Sequence, residues 1–502
     1  MTKNNKKKNS HLLENISKQY EKWKFKAVTR SKIISEYKKR IIELIKSRDV
    51  WRNKYNKEKQ LSTLLKKELL ESRMMPYEKV ANHSYPLEII LFVIWLRSSS
   101  SISLEGVRKV LEVLNQVFDF SYKIPCRETI RNWERKHSFH RLEAIKESVS
   151  GEWAIIIDES ITIGEEKILL VLGVPLSLYG FDGAVKFMDV RVLKISISKS
   201  WKSEEISSVL TDLKSIGYEI KYVVSDACNA LKSGIKKSDL TRVADCTHFF
   251  GNILKQEYEK LEEYTSFNKA CNLLKKQTNL GADAVISPPK NRIKGKFLNL
   301  WERAKWSKST LDLMELPVVQ RDKKLTGSMQ GKLGFIMDYK PLIERLVTQC
   351  ETINKLHKVL KGKGLSIEAA GKCREILFNN YAQEMKQIIP NFDLAKDTFW
   401  QKIEAYLKDG LILLEQLDLP KIICSSDIIE SMFGKYKARV KKGTSSVTDD
   451  CLNIANFVGS FSRKETKEAM ETIKIIDINN WRKENCKFGL RAKKQKLYKK
   501  AG

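Results

Sequence analysis

The sequence has no CxxC pair, no apolar run long enough to cross a bilayer, no internal repeat, and far less acid than base. Its nine cysteines are odd in number and scattered, at Cys126, Cys228, Cys246, Cys271, Cys350, Cys373, Cys424, Cys451 and Cys486. That spacing argues against a disulfide framework or a zinc finger and points to a reducing, cytoplasmic setting. The densest apolar stretch, Leu87 to Leu96, is too short for a membrane span and holds Glu88, so no membrane partner is expected. Met1 to Ser10 are polar and lysine-rich, with no apolar segment behind them; no signal peptide is expected.

What is present is length, core material and positive charge. The chain has 502 residues, 42% of them hydrophobic, which suits three or four structural units with real cores. Lys and Arg number 92 against 61 Asp and Glu, a formal charge of +31. Such an excess repels itself unless it meets a polyanion, and nucleic acid, which releases counterions as its phosphates are neutralised, is the expected one. The plainer alternative is a coding bias that inflates lysine.

From about His11 to Arg73 there is no Pro or Gly, and apolar residues recur at Ile34, Tyr37, Ile41, Leu44, Trp51, Tyr55, Leu65 and Leu69. These are a and d positions of one heptad register, interrupted by Arg48, Glu58 and Ser62, and predict a coiled coil or a helical hairpin with basic flanks. Pro76 ends it. Three shorter helical patterns follow: Leu87 to Arg97, Leu104 to Phe118 with Ser103 as its cap, and a third after Pro125. The third presents Arg127, Arg131, Asn132 and Arg135, side-chain types that read guanine and adenine edges in the major groove. A helix-turn-helix or an ordinary three-helix bundle fits.

The pattern changes at Trp153. Ala154 to Ile157 is an apolar run ending in Asp158, and Lys167 to Val174 and Val185 to Ile197 read as further strands. A helix begins at Ser203 and Glu205 and stops near Gly217; Glu219 to Asp226 is another strand ending in an acid; Thr241 to His248 is a short fifth strand with a helix starting near His248. The order β-β-β-α-β-α-β-α is that of a ribonuclease H-like mixed sheet. Glu257 to Leu419 is mostly helical and reads as an insertion, and the core resumes at Pro420 to Asp427 with a helix from Ile428 to Lys442. The expected architecture is multidomain α and α/β: a helical or coiled-coil region (1–75), a helix-turn-helix domain (76–149), a ribonuclease H-like mixed-sheet core in two parts (150–256 and 420–470) interrupted by an all-helical insertion (257–419), and a basic tail (471–502) carrying Lys493, Lys494, Lys496, Lys499 and Lys500.

Phosphoryl transfer by two hard cations needs clustered carboxylates. Groups at the carboxyl ends of strands in an open sheet converge on one rim, where Asp158 and Asp226 belong. The expected third is Glu430, in the first turn of a helix capped by Asp427 and followed by Lys435, Lys437, Arg439, Lys441 and Lys442, a basic run suited to strand phosphates. A capping-box role is the alternative for Glu430. Glu257, Glu259 and Glu262 compete for the third place if there is no insertion.

Asp158, Ser225-Asp-Ala-Cys-Asn-Ala-Leu-Lys232, Cys246-Thr-His248-Phe-Phe-Gly-Asn252 and Asp427-Ile-Ile-Glu430-Ser-Met-Phe433 together resemble the DDE transposases, above all the Mutator-like and hAT-like groups, over about residues 150 to 465. Cys246 and His248 are separated by one residue, where the family's element has two. The resemblance implies a DNA transposase in which Asp158, Asp226 and Glu430 hold Mg²⁺ or Mn²⁺, two ions per site. It implies cleavage at transposon ends and joining of the freed 3′-OH to target DNA. His248 either contacts a phosphate or packs at a helix start; Cys246 reads as a core thiol. Trp301 and Trp306 are either core residues or the inserted aromatic that such families stack on a base. The expected partners are double-stranded DNA, as terminal repeats and target, and a second copy of the chain; the expected place is the cytoplasm, on DNA. The alternatives are a domesticated DNA-binding protein that does not cut and a nuclease of the same fold.

Overall fold

The computed structural model describes residues 3–72, 78–118, 123–144, 150–160, 162–177, 184–290, 297, 300–440, 446–486 and 497–498. The chain forms two units, Met1–Glu78 and Lys79–Gly502.

The first unit is one helix, α1 (Lys3–Ser72). Of the two expected forms, the hairpin is excluded, because no turn interrupts the helix. Its heptad residues Ile34, Tyr37, Ile41, Leu44, Trp51 and Tyr55 are all exposed.

The second unit opens with α2 (Leu87–Ser99), α3 (Leu104–Phe118) and α4 (Arg127–Ala144). Ser103 caps α3 as expected, its Oγ accepting the Gly106 N–H at 2.9 Å. Leu87, Ile90, Ile94, Leu111, Ile130 and Trp133 close a small core that is completed from far along the chain by Ala469 and Met470.

A mixed five-stranded sheet follows, from β1 (Glu152–Glu159), β2 (Lys167–Pro175), β3 (Arg191–Ser198), β4 (Glu219–Ser225) and β5 (Arg242–Ala244), in the order β3-β2-β1-β4-β5. β2 is antiparallel to β1 and β3; β4 is parallel to β1 and β5. Between strands lie α5 (Ser203–Ile216), α6 (Asn229–Lys237) and, after β5, α7 (Cys246–Tyr258). The expected element order is therefore present. β3 starts at Arg191 rather than Val185, because Asp189 accepts the Lys186 N–H at 2.8 Å and closes a turn there. α5 ends where Gly217 takes φ 110, a left-handed conformation that costs glycine least.

Both faces of the sheet are covered, which is why β1 is a continuous apolar run. Trp153, Ile155, Ile157 and Val223 face α5 and α6. Ala154, Ile156, Tyr222 and Val224 face the larger core that includes Cys246 and Phe250 of α7. The intervening helices are α8 (Glu262–Thr278), α9 (Leu300–Met314), α10 (Val318–Arg321), α11 (Gly327–Leu333), α12 (Lys340–Lys363), α13 (Ile367–Ile376), α14 (Ala382–Ile388) and α15 (Thr398–Leu417). This all-helical stretch shares the large core with the sheet, mainly through Leu346, Ile353, Leu356 and Leu360 of α12. The chain returns through α16 (Asp427–Arg439), a 3-10 segment at Asp449–Phe457, α17 (Arg463–Thr472) and α18 (Ile475–Asn485). α18 corrects the expectation of a tail from 471 onward: Ile478 is buried in the large core and holds a helix there. Lys493, Lys494, Lys496, Lys499 and Lys500 lie outside the described residues.

Candidate active site

The pairing of β1 with β4 ends at Ile156 opposite Val224. Two residues beyond Ile156, still on β1, stands Asp158; two residues beyond Val224, one past the end of β4, stands Asp226. Parallel neighbours lie about 4.8 Å apart, and side chains alternate faces with period two. Asp158 therefore shares with Ile156 the face covered by α7, and Asp226, in the loop after β4, is close enough for its charge to reach it. Burial, and then the Asp226 charge, push the Asp158 carboxyl up to about 7. Asp158 Oδ1 accepts the Glu159 N–H and Asp226 Oδ1 the Cys228 N–H, each at 2.8 Å. The Arg242 guanidinium from β5 reaches the carbonyl of Asp226 at 2.6 Å and that of Ser225 at 3.1 Å, bracing the loop after β4.

Above this pair lie the starts of α7 and α16, tied to each other by one buried acid. Asp245 caps α7, accepting the Thr247 N–H at 2.6 Å, and with its other oxygen accepts the N–H and the hydroxyl of Ser426, the residue before α16. A backbone bond from Cys246 N–H to Cys424 C=O, 2.8 Å, runs beside it. The two helices thus present His248 and Glu430 to one another: Nε2 and Oε1 are 3.3 Å apart. That contact, with the charges of Asp245 and Asp226 added, raises the imidazole to about 9 against the opposing effect of burial. Asp427 is not the side-chain cap it was expected to be. Its carboxylate is held by Lys361 at 2.6 Å and Thr247 at 3.2 Å. Glu430 is in the first turn of α16 with its carboxylate on His248.

The rival acids are placed elsewhere. Glu257 accepts from Arg345 at 2.7 Å and Thr398 at 2.6 Å, bracing α7 against α12 and α15. Glu259 and Glu262 are exposed at the far end of α7 and the start of α8. Among the described residues, no three His, Cys, Asp or Glu side chains stand in a group arranged to hold a metal ion. All nine cysteines are free, and Cys246 is the buried thiol expected.

The candidate DNA-contact residues divide. Arg127 is exposed and Arg131 and Asn132 are partly so; Arg131 pairs with Glu128 at 2.6 Å. Arg135 is 14% exposed, its guanidinium on Asp449 at 2.9 Å and Asp450 at 3.2 Å. Arg439 is 8% exposed, over the ring of Phe457 at 4.4 Å, so neither offers its guanidinium to solvent in this conformation. Lys435 lies over Phe187 at 3.8 Å and Lys437 near Phe433 at 5.8 Å. Trp301 and Trp306 are on α9, half-buried against the large core. Lys441 and Lys442 lie outside the described residues. Arg242, Asp245 and Lys361 are site residues that sequence reasoning missed. Only Asp245 carries a local signal, an acid two residues before the Thr247 N–H it caps.

No protein-family model matches the chain, and no curated protein matches it. Among solved structures it is similar to one described as the Drosophila P element transposase strand transfer complex, at 12% identity and a TM-score of 0.37, covering 84% of this chain and 99% of that one. A similarity of that size defines no activity for this chain. Among the described residues, no helix is long and apolar enough to cross a membrane.

Proposed function

We propose that the chain is a DNA transposase of the DDE type on a ribonuclease H-like core, cutting DNA at transposon ends and joining the 3′-OH to target DNA. The observation that carries this reading is the nearness of Asp158, at the end of β1, to Asp226, the residue just past the parallel neighbour β4, with Glu430 of α16 close enough for its charge to act on Asp158. Strand order and direction support the core assignment. The charge of +31 supports a DNA partner.

The carboxylate donors fit Mg²⁺ or Mn²⁺, which prefer hard oxygen ligands. Asp158 and Asp226 would hold the ions, and Glu430 would complete the set on leaving His248. Bound there, such ions activate a water or 3′-OH and stabilise the leaving oxygen. The chain's own part is positional. Arg242 braces the loop of Asp226, Asp245 locks the starts of α7 and α16 together, and His248, once Glu430 leaves it, would offer a phosphate a ring N–H at the rim. A second copy would pair through the exposed heptad seam of α1, as handling two DNA ends requires.

A second reading, a DNA-binding protein that does not cut, is favoured by one observation: the engagement of Glu430 with His248 and the lack, among the described residues, of a ready three-ligand group. The deciding assay is cleavage and strand transfer with Mg²⁺ or Mn²⁺ on end DNA from the native locus. The intact chain should cut and join. Asp158→Ala, Asp226→Ala and Glu430→Ala should each lower turnover by roughly 10³-fold or more with DNA affinity unchanged. Binding without cleavage by the intact chain would establish the second reading, cleavage without joining a nuclease, and full activity in Glu430→Ala a wrong third carboxylate.

A further inference from the structure

We propose that Glu134 is a positioning residue for this site: through Arg439 it fixes the helix that carries Glu430, so that α2 and α4 set where that carboxylate stands. The inference rests on the reading just given. Three helices meet at the Glu134 carboxylate, which is 2% exposed. Arg97 of α2 donates to Oε1 through Nε at 2.9 Å, and Nη1 of Arg439, the last residue of α16, stands 4.0 Å from the same oxygen. Arg439 Nη2 donates to the Ser100 carbonyl just after α2, at 3.1 Å.

Such a triad is weak evidence of net stabilisation. Glu134 Oε2 and Arg439 Nη1 are buried without a hydrogen-bond partner, and a buried ionic group so incompletely satisfied is generally no more stable than apolar side chains of the same volume. Its position accounts for it better. Glu430 sits in the first turn of α16 and Arg439 at its end, about 13 Å apart along a rigid rod. A shift of α2 or α4 therefore tilts the helix at the Glu430 end. α4 is also tied to the segment after α16: Arg135 bonds Asp449, His137 bonds Asn456, and Arg141 bonds Glu465. The same helix carries Arg127, Arg131 and Asn132 on its accessible side. DNA bound there would load the strut that ends on the catalytic helix.

The test uses the full chain in three forms: intact, Glu134→Gln, and the apolar triple Arg97→Leu/Glu134→Leu/Arg439→Met. Melting temperature, affinity for end DNA, turnover at saturating DNA and amide hydrogen exchange across 427–439 are measured. The triple should melt within a few degrees of the intact chain and bind DNA within about twofold, yet lose turnover by about tenfold and exchange faster across α16. Glu134→Gln should fall between, and carries the comparison if the triple fails to fold. Unchanged turnover and exchange in a folded variant would overturn the proposal. If the intact chain cuts no DNA, the transposase reading fails by itself. The coupling is then read from exchange: protection of 427–439 on adding end DNA, absent in the variant, upholds it, and no such protection in the intact chain overturns it.

Discussion

One buried imidazole, His137, and one half-buried, His357, give the chain an acid sensitivity with a defined window. His137 and His357 are each held down at about 4, by burial first and then by Arg141 and Lys361 respectively. The unfolded chain takes up protons near 6.5 that the folded chain refuses until about 4, so this stability is complete above pH 6.5 and declines as pH falls toward 4. The limit is roughly 3 kcal/mol per histidine. Asp158 titrates with the opposite sign, being raised, so the comparison between variants is the readout. His137→Asn with His357→Gln should flatten the dependence of the urea midpoint between pH 7 and pH 4.5; parallel curves for the intact and substituted chains would place the sensitivity elsewhere. Asp245 is the other residue whose removal should be felt widely. Its carboxylate serves the Thr247 N–H and both the N–H and hydroxyl of Ser426 in a buried site. Asp245→Ala should cost ~2–4 kcal/mol, seen as a lowered melting temperature, and Asp245→Asn, which keeps an acceptor, distinctly less.

At the scale of elements, α5 and α6 cover one face of the sheet by close approach at Gly234. A Cβ there would stand 2.7 Å from Cβ and Cγ2 of Ile206, atoms close to the α5 backbone that cannot swing away. Gly234→Ala should therefore destabilise by ~1–3 kcal/mol despite the better helix propensity of alanine, and Ile206→Val should relieve little of it, since Cβ and Cγ2 remain. The covering of this sheet was legible in the chain, because strands buried on both faces read as unbroken apolar runs and Ser103 and Gly217 mark helix ends by their own chemistry. Asp158 and Asp226 were legible for the same reason, as acids that terminate such runs. The contacts of His248 with Glu430, and of Arg135 with Asp449, were not. They join residues far apart in the chain, and nothing periodic announces them. The arginines of α4 show the consequence: a polar helical face reads the same in sequence whether it meets DNA, solvent or a distant acidic segment.

For the whole molecule, the question is what α1 contributes. Every buried apolar residue of the described core comes from Val80 onward, so residues 79–502 should fold without it and melt within a few degrees of the intact chain. α1 instead exposes Tyr20, Trp23, Ile34, Tyr37, Ile41, Leu44, Trp51 and Tyr55. Isolated helices of this kind are stabilised mainly by burying such a stripe, and a heptad seam buries it against another helix. In the proposed pairing, Arg48 and Glu58 would interrupt that seam. If the chain pairs through α1 as proposed, the intact chain should self-associate by sedimentation and deletion of residues 1–78 should leave a monomer. The helix is also basic, with Lys22, Lys24, Lys26, Lys38, Lys39 and Arg40 on its flanks, so the same deletion probes DNA binding. If α1 only pairs two copies, the monomer should keep the slope of log affinity against log salt per bound chain. If its lysines also neutralise phosphates, the slope should shrink by roughly one for each phosphate that α1 no longer neutralises. A deletion that changes neither association nor slope would leave α1 without either role and, on the transposase reading, assign the pairing of two DNA ends to residues 79–502.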